Sequence, residues 1–106
     1  MLFSMNKVLN ECKSVLINHY GEQFKGLILF GSNARNEANE SSDIDLLVLL
    51  RKPFDYFHEI KVVIDLLYQI QLEHKKFISA KVADSKEYES GSIQLYRNIQ
   101  REGIFV

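Results

Sequence analysis

Two short polar segments, each next to an apolar run, carry residue types suited to chemistry on a nucleotide. Gly31 and Ser32 end one run, and Asp43 and Asp45 open another. Glycine lets the backbone approach a phosphate closely, and serine adds a hydroxyl donor. Carboxylates two residues apart on a strand point to the same face, and carboxylate oxygens are preferred ligands of Mg²⁺. If the two runs lie side by side, this spacing predicts a site for a triphosphate and a divalent cation.

The residues after the glycine are further candidates for this site. Arg35 lies one turn after Ser32 and could contact a phosphate with two nitrogens. Residues 32–38 could begin a short helix with Ser32 as its cap, and the free N–H groups at such a start favour an anion.

Each part of the pattern also has a common structural explanation. A glycine after a strand is usually a turn residue, and an Asp-x-Asp at the start of a strand is usually a solvated edge. The combination of both, at this spacing and between two apolar runs, favours a functional site over these explanations.

The periodicity of the apolar residues predicts a small α/β domain that spans residues 1–106. Residues 57–73 fit both a helix and an alternating strand, but their length favours a helix. Residues 84–91 are predicted to be a charged loop, and residues 104–106 an apolar tail. The predicted helices are 4–20, 57–73 and 92–101, and the predicted strands are about 25–30, 43–50 and 77–83.

The bulk properties exclude several classes of function. The net charge of -1 over 106 residues argues against an extensive nucleic-acid surface. No apolar run approaches the ~18 residues of a membrane span, and no signal peptide is recognisable, so we expect a cytoplasmic protein without a membrane partner. The single Cys12 falls on the apolar face of the first helix and is expected to be a core residue.

The central motif resembles a known family. Residues 31–38 read Gly-Ser-Asn-Ala-Arg-Asn-Glu-Ala, and residues 42–48 read Ser-Asp-Ile-Asp-Leu-Leu-Val. Together, the two segments are similar to the signature of the minimal nucleotidyltransferases (MNT) of the DNA polymerase β superfamily. Residues 95–103 resemble the closing helix of these proteins. The resemblance implies a mixed β-sheet flanked by helices, an α/β (α+β) fold with a nucleotidyltransferase-like core.

The resemblance also implies roles for individual residues. Gly31 and Ser32 would contact the triphosphate, and Asp43 and Asp45 would bind Mg²⁺. The implied reaction transfers a nucleoside monophosphate, usually AMP from ATP, to an acceptor hydroxyl and releases pyrophosphate. The implied partner is a helical protein of the HEPN type, and some such pairs are toxin–antitoxin systems in which the nucleotidyltransferase is the antitoxin.

The sequence departs from the family pattern at two places. Asn36 stands where members often have a glycine. The third predicted strand, 77–83, contains no carboxylate, although active members have one there, and Phe77 or a neighbour occupies the expected position. Asp84, at the far end of this strand, is a weak substitute as a third metal ligand, and its simpler interpretation is a solvated loop residue. Two functions therefore remain open, a Mg²⁺-dependent nucleotidyltransferase and a non-catalytic module that binds a nucleotide or a partner. Self-association is also open.

Overall fold

A four-stranded mixed sheet forms the centre of the computed structural model, which describes residues 4–35 and 42–106. The strands lie in the order β3-β2-β1-β4. β1 is antiparallel to both β2 and β4, whereas β2 and β3 are parallel. The sheet confirms the predicted mixed topology. The strands are β1 (Phe24–Phe30), β2 (Ile44–Leu50), β3 (Ile78–Asp84) and β4 (Ile104–Phe105).

Four helices of the described residues cover the two faces of the sheet. α1 (Met5–Tyr20) and α2 (Tyr56–His74) pack on one face, and α3 (Ser85–Ser90) and α4 (Gln94–Glu102) pack on the other. Since β2 is covered on both faces, almost all of its residues are apolar and buried. Cys12 is fully buried among the side chains under α1, which confirms its predicted place in the core.

The two long helices begin at side-chain caps. The Ser4 hydroxyl accepts a hydrogen bond from the Lys7 N–H at 3.3 Å, and the Asp55 carboxylate accepts one from the His58 N–H at 3.2 Å. Such caps satisfy N–H groups that have no partner within the helix. The segment that fitted both a helix and a strand forms the 19-residue α2, which confirms the choice made from its length.

The prediction of a charged loop at 84–91 is wrong, because α3 occupies most of this segment. The Asp84 carboxylate caps α3 by accepting the Glu87 N–H at 3.1 Å, and Gly91 ends the helix in the left-handed conformation. These two helix signals flank a helix of only six residues, which is too short for apolar periodicity to indicate it.

Residues 104–106 do not form a free tail. Ile104 and Phe105 pair with β1 as the edge strand β4, and the Val106 N–H donates to Leu27 O at 2.9 Å. Residues 104–106 therefore support β1, the strand that leads into Gly31. Within the described ranges, no helix has the length and apolar character needed to cross a membrane.

Candidate active site

The antiparallel pairing of β1 with β2 brings the predicted site residues together. Phe30, the last residue of β1, lies opposite Asp45. The chain then turns at Gly31, beside the start of β2 and next to Asp43. The glycine turn and the two aspartates thus share one end of the sheet, as their spacing predicts if the two strands are neighbours.

Gly31 is in direct contact with the Asp45 side chain. Its φ of +75° lies in the region that favours glycine, and a Cβ at this position would overlap Asp45 Oδ2 and lie 3.1 Å from Asp45 Cγ. Glycine is therefore needed here both for the backbone conformation and for the space beside the carboxylate.

A short 3₁₀ turn follows the glycine. The turn comprises Gly31–Asn33, and the N–H groups of Ala34 and Arg35 both donate to Gly31 O at 3.1 Å. The predicted role of Ser32 as a helix cap is wrong, because Ser32 lies inside this turn and Phe30 occupies the cap position without a side-chain bond. Residues 36–38 of the predicted helix lie outside the described residues.

Asn33 connects the turn to the start of β2, a contact that the sequence analysis missed. Its Nδ2 donates to the backbone O of Asp43 at 2.7 Å. Asp43 lies just before β2 and is exposed, whereas Asp45 is half-buried. This hydrogen bond holds the backbone of the outer aspartate against the turn, which defines the position of Asp43 relative to Gly31.

The charges around Asp45 favour a bound cation. Burial raises the pKa of Asp45 above its ordinary value, and the neighbouring Asp43 carboxylate raises it further. Lys81 and Arg35 act in the opposite direction. A cation bound by both aspartates would offset their mutual repulsion, so this partly buried pair fits a divalent ion.

Lys81 is a second residue that sequence analysis missed. It lies on β3, and the parallel register places it beside Leu47, two residues beyond the pairing of Ser79 with Asp45. Residues two apart on a strand share a face, so Lys81 and Ser79 lie on the same face as Asp45. Only the strand register could reveal this proximity, because Lys81 is 36 residues away along the chain.

Arg35 extends from the turn towards the end of α4. Its Nη1 lies 3.4 Å from Glu102 Oε2, and both side chains are about 40% exposed (39% and 41%). Arg35, the predicted phosphate-binding residue, is close enough to Asp45 to lower the pKa of that carboxyl group. It also lies next to Glu102, a carboxylate that sequence analysis did not select.

Asp84 is not brought together with Asp43 and Asp45. It pairs with Leu50 at the far end of β2, five residues beyond Ser79, which corresponds to about 16 Å along the strand. Its carboxylate caps α3 instead. The β3 residue directly beside Asp45 is Ser79, two residues beyond Phe77, so a hydroxyl and not a carboxylate stands next to the aspartate pair.

A separate group of ligand-type side chains lies on α1 and α2. One oxygen or nitrogen atom from each of Glu11, Glu73 and His74 falls within 4.8 Å of the others. His74 Nε2 and Glu11 Oε2 are in hydrogen-bond contact at 2.7 Å. None of these residues belongs to the glycine turn or the aspartate pair.

Comparison with known proteins decides the family. A family model described as a nucleotidyltransferase domain matches residues 8–105, which include the whole of the site. The chain belongs to the nucleotidyltransferase domain family. This nucleotidyltransferase is also similar to MJ0604 of Methanocaldococcus jannaschii, which is described as a candidate protein adenylyltransferase. The two sequences are 35% identical over 99 residues, which cover 92% of each protein.

Solved structures share the fold of this nucleotidyltransferase. A chain of a toxin–antitoxin crystal structure with AMP-PNP matches with a TM-score of 0.64 and 18% identity, over 91% of this chain and 69% of that one. A chain from the complex of a tri-AMPylated Shewanella oneidensis HEPN toxin with an MNT antitoxin matches with a TM-score of 0.54 and 18% identity, over 92% and 68%. At these identities, the likeness concerns the fold.

Proposed function

We propose that this nucleotidyltransferase binds ATP with Mg²⁺ and transfers AMP to a hydroxyl group of a partner protein, with release of pyrophosphate. One observation carries the proposal: Gly31 packs directly against the carboxylate of Asp45. The same site therefore contains a backbone that a phosphate can approach and two carboxylates that can hold a cation.

Asp43 and Asp45 would hold the Mg²⁺ ion. The two side chains offer carboxylate oxygens as ligands, and the pKa of Asp45 is raised by its burial and by the charge of Asp43. A divalent cation would offset both the cost of burying this charge and the repulsion between the two carboxylates. When bound, the ion supplies neutralisation of charge on the triphosphate and on the departing pyrophosphate. Asn33 fixes the backbone of Asp43, and so keeps the outer ligand in place.

The turn and Arg35 would position the phosphates. Gly31 leaves the backbone accessible, Ser32 offers a hydroxyl, and Arg35 offers a positive charge. Phosphoryl transfer depends mainly on positioning and on electrostatic stabilisation, with the attacking and leaving oxygens in line. These residues would orient the triphosphate so that the acceptor oxygen approaches the α-phosphorus opposite the pyrophosphate.

The partner is inferred from the relatives. MJ0604 is named as a candidate protein adenylyltransferase, and the S. oneidensis complex contains an AMPylated HEPN toxin together with an MNT antitoxin. We infer that the acceptor is a side-chain hydroxyl of a helical HEPN-type protein, which fits a chain whose net charge of -1 does not favour nucleic acid.

A second function is favoured by one specific observation. Ser79, rather than a carboxylate, lies beside Asp45 on β3. A hydroxyl is a much weaker base and metal ligand than a carboxylate, so the site is better equipped to bind a nucleotide than to deprotonate an acceptor. On this basis the alternative is a module that binds a nucleotide and a partner without transfer.

Transfer of label from α-³²P-ATP to a HEPN-type partner in the presence of Mg²⁺ tests the proposal. We expect labelled partner with wild type and none with the double variant Asp43→Asn/Asp45→Asn. Glu89→Gln is the matched control, because Glu89 is an exposed carboxylate on α3 and lies outside the site. Undiminished labelling by the double variant would refute the assigned site.

Equilibrium binding of ATP separates the two functions. If wild type binds ATP in a Mg²⁺-dependent manner and binds its partner, yet labels it with none of the four nucleoside triphosphates, then the module is the correct function. If the double variant binds ATP as tightly as wild type, both functions are assigned to the wrong residues.

A further inference from the structure

Lys81 is a charged side chain on the active-site face of the sheet that has no role in the function proposed so far. The parallel register places it beside Leu47, two residues further along β3 than the pair of Ser79 with Asp45. Two residues of a strand cover about 6.6 Å and neighbouring strands lie about 4.8 Å apart, so the Cα atoms of Lys81 and Asp45 are about 8 Å apart. A lysine ammonium on its flexible four-carbon stem can cover most of this separation.

The Lys81 ammonium is available to a ligand. The side chain is exposed, and no hydrogen bond or ion pair within residues 4–35 and 42–106 holds it. Its charge nevertheless acts on the aspartate pair. Burial and the charge of Asp43 raise the pKa of Asp45, and of the two cations that lower this pKa, Lys81 has a larger effect than Arg35. Lys81 is therefore close to the aspartates and still able to bind an anion.

The strand order places Lys81 and the glycine turn on opposite sides of the aspartates. β2 lies between β1 and β3. Gly31 and Arg35 therefore approach Asp45 from the β1 side, whereas Lys81 approaches it from the β3 side. If the turn holds the terminal phosphates of a triphosphate that crosses the aspartates, the α-phosphate lies on the side of β3.

The sheet surface around Lys81 is accessible in the part of the chain that the structure describes. α3 and α4 pack over Leu49 and Ala83, which are buried on the same face of the sheet. Towards the other end of this face, Ser79 is half-buried and Lys81 is exposed. The covered part of the face therefore ends before the site, and a ligand at the aspartates can approach the Lys81 ammonium.

We propose that Lys81 contacts the α-phosphate of the bound nucleotide, an inference that rests on the proposed function of the site. A cation that is already in place where negative charge develops stabilises the transition state of a transfer reaction. Lysine suits this position because its ammonium is a compact positive charge with three hydrogen-bond donors. The aspartate pair with its ion and the Lys81 ammonium would then neutralise the α-phosphate from two directions.

Calorimetric titration with ATP in the presence of Mg²⁺ tests the contact. Lys81→Met removes the charge but keeps a long side chain, and it should weaken ATP binding at least about tenfold, the effect of losing a hydrogen bond to a charged group. Lys81→Arg keeps the charge and should retain most of the affinity. Lys86→Met is the matched control, because Lys86 is an exposed lysine on α3 outside the site, so this variant should bind ATP like wild type. Wild-type affinity of Lys81→Met for ATP would overturn the proposal.

Titration with Mg²⁺ alone separates a phosphate contact from a structural role of Lys81. Without nucleotide, the ammonium repels a cation at the aspartate pair. Lys81→Met should therefore bind Mg²⁺ more tightly than wild type, although it binds ATP more weakly. A variant with a damaged site would lose affinity for both ligands, so weaker binding of both Mg²⁺ and ATP would contradict the contact with phosphate.

Competition of AMP and ATP against a fluorescent ATP analogue locates the contact. If Lys81 binds the α-phosphate, Lys81→Met should lose a similar factor of affinity for both nucleotides. A loss confined to ATP would place Lys81 at the other phosphates and overturn the assignment. Wild type that binds ATP, together with an unaffected Lys81→Met, would contradict this inference alone, whereas wild type that binds no nucleotide would contradict the proposed function as well.

Discussion

Replacement of Gly31 by alanine should have two effects that can be measured separately. Backbone strain should lower Tm, and displacement of the Asp45 carboxylate should lower the rate of AMP transfer. At a φ of +75° an L-residue costs about 1–2 kcal/mol, and the new Cβ would overlap Asp45 Oδ2. For a chain of this length, about 1 kcal/mol corresponds to about 4 °C in Tm. The strain alone therefore predicts a decrease in Tm of about 4–8 °C for Gly31→Ala.

Gly21→Ala supplies the matched control. Gly21 also has a positive φ, +57°, but a Cβ there would meet nothing within 4 Å. Its Tm should fall by a similar amount, and its active site should stay intact. Gly31→Ala must in addition displace the Asp45 carboxylate, and a displacement on the order of 1 Å at a reacting centre can cost about 100-fold in rate.

Thermal unfolding and the AMP-transfer rate, measured on the same preparations, check this reasoning. At a temperature where all three proteins are folded, Gly21→Ala should transfer like wild type, and Gly31→Ala about 100-fold more slowly. Comparable rates for Gly31→Ala and Gly21→Ala would refute the argument that Gly31 is required by its contact with Asp45.

Three further substitutions test individual contacts of the site. Asp45→Asn should abolish transfer and yet raise the free energy of unfolding at pH 7 without metal, because the raised pKa means that the folded protein holds this proton more tightly than the unfolded chain. For the same reason, the stability of wild type relative to Asp45→Asn, measured by chemical denaturation, should fall as pH rises above the ordinary carboxyl pKa of 3.8. If the difference in the free energy of unfolding between the two proteins is the same at pH 3 and pH 7, the pKa of Asp45 is not raised. Ser79→Asp places a third carboxylate beside Asp45 and should increase the Mg²⁺-dependent transfer rate at saturating ATP, whereas a slower enzyme would show that this position does not reach the reacting groups. Asn33→Ala removes the 2.7 Å hydrogen bond to the Asp43 backbone and should weaken Mg²⁺ binding in calorimetry, with a cost of about 1 kcal/mol in stability; unaltered Mg²⁺ affinity would argue against a positioning role.

The sequence was most informative where a pattern is local. The β1 and β2 runs, the 19-residue α2 and the Gly31 to Asp45 motif are all visible as short-range signals of composition and spacing. α3 was missed because six residues are too few to display helical periodicity, although Asp84 and Gly91 mark its two ends.

Contacts between distant parts of the chain could not be predicted. Lys81 and Glu102 reach the site only through the β2–β3 register and the packing of α4, which depend on the whole fold. Asp84 illustrates the opposite error: its type suggested a metal ligand, but the strand register carries it to the other end of the sheet. The pairing of β4 with β1 likewise joins segments about 75 residues apart, and a two-residue strand has no period to detect.

The pairing of Phe30 with Asp45 has a consequence for folding. Since successive strand residues point to opposite faces, a slip of β2 by one residue would turn Asp45 into the core and bring Ile44 to the site. Only the native register sets both aspartates beside Gly31. A cation bound by this pair would therefore stabilise the correct alignment of β1 with β2 selectively, so that ligand binding discriminates against misaligned sheets.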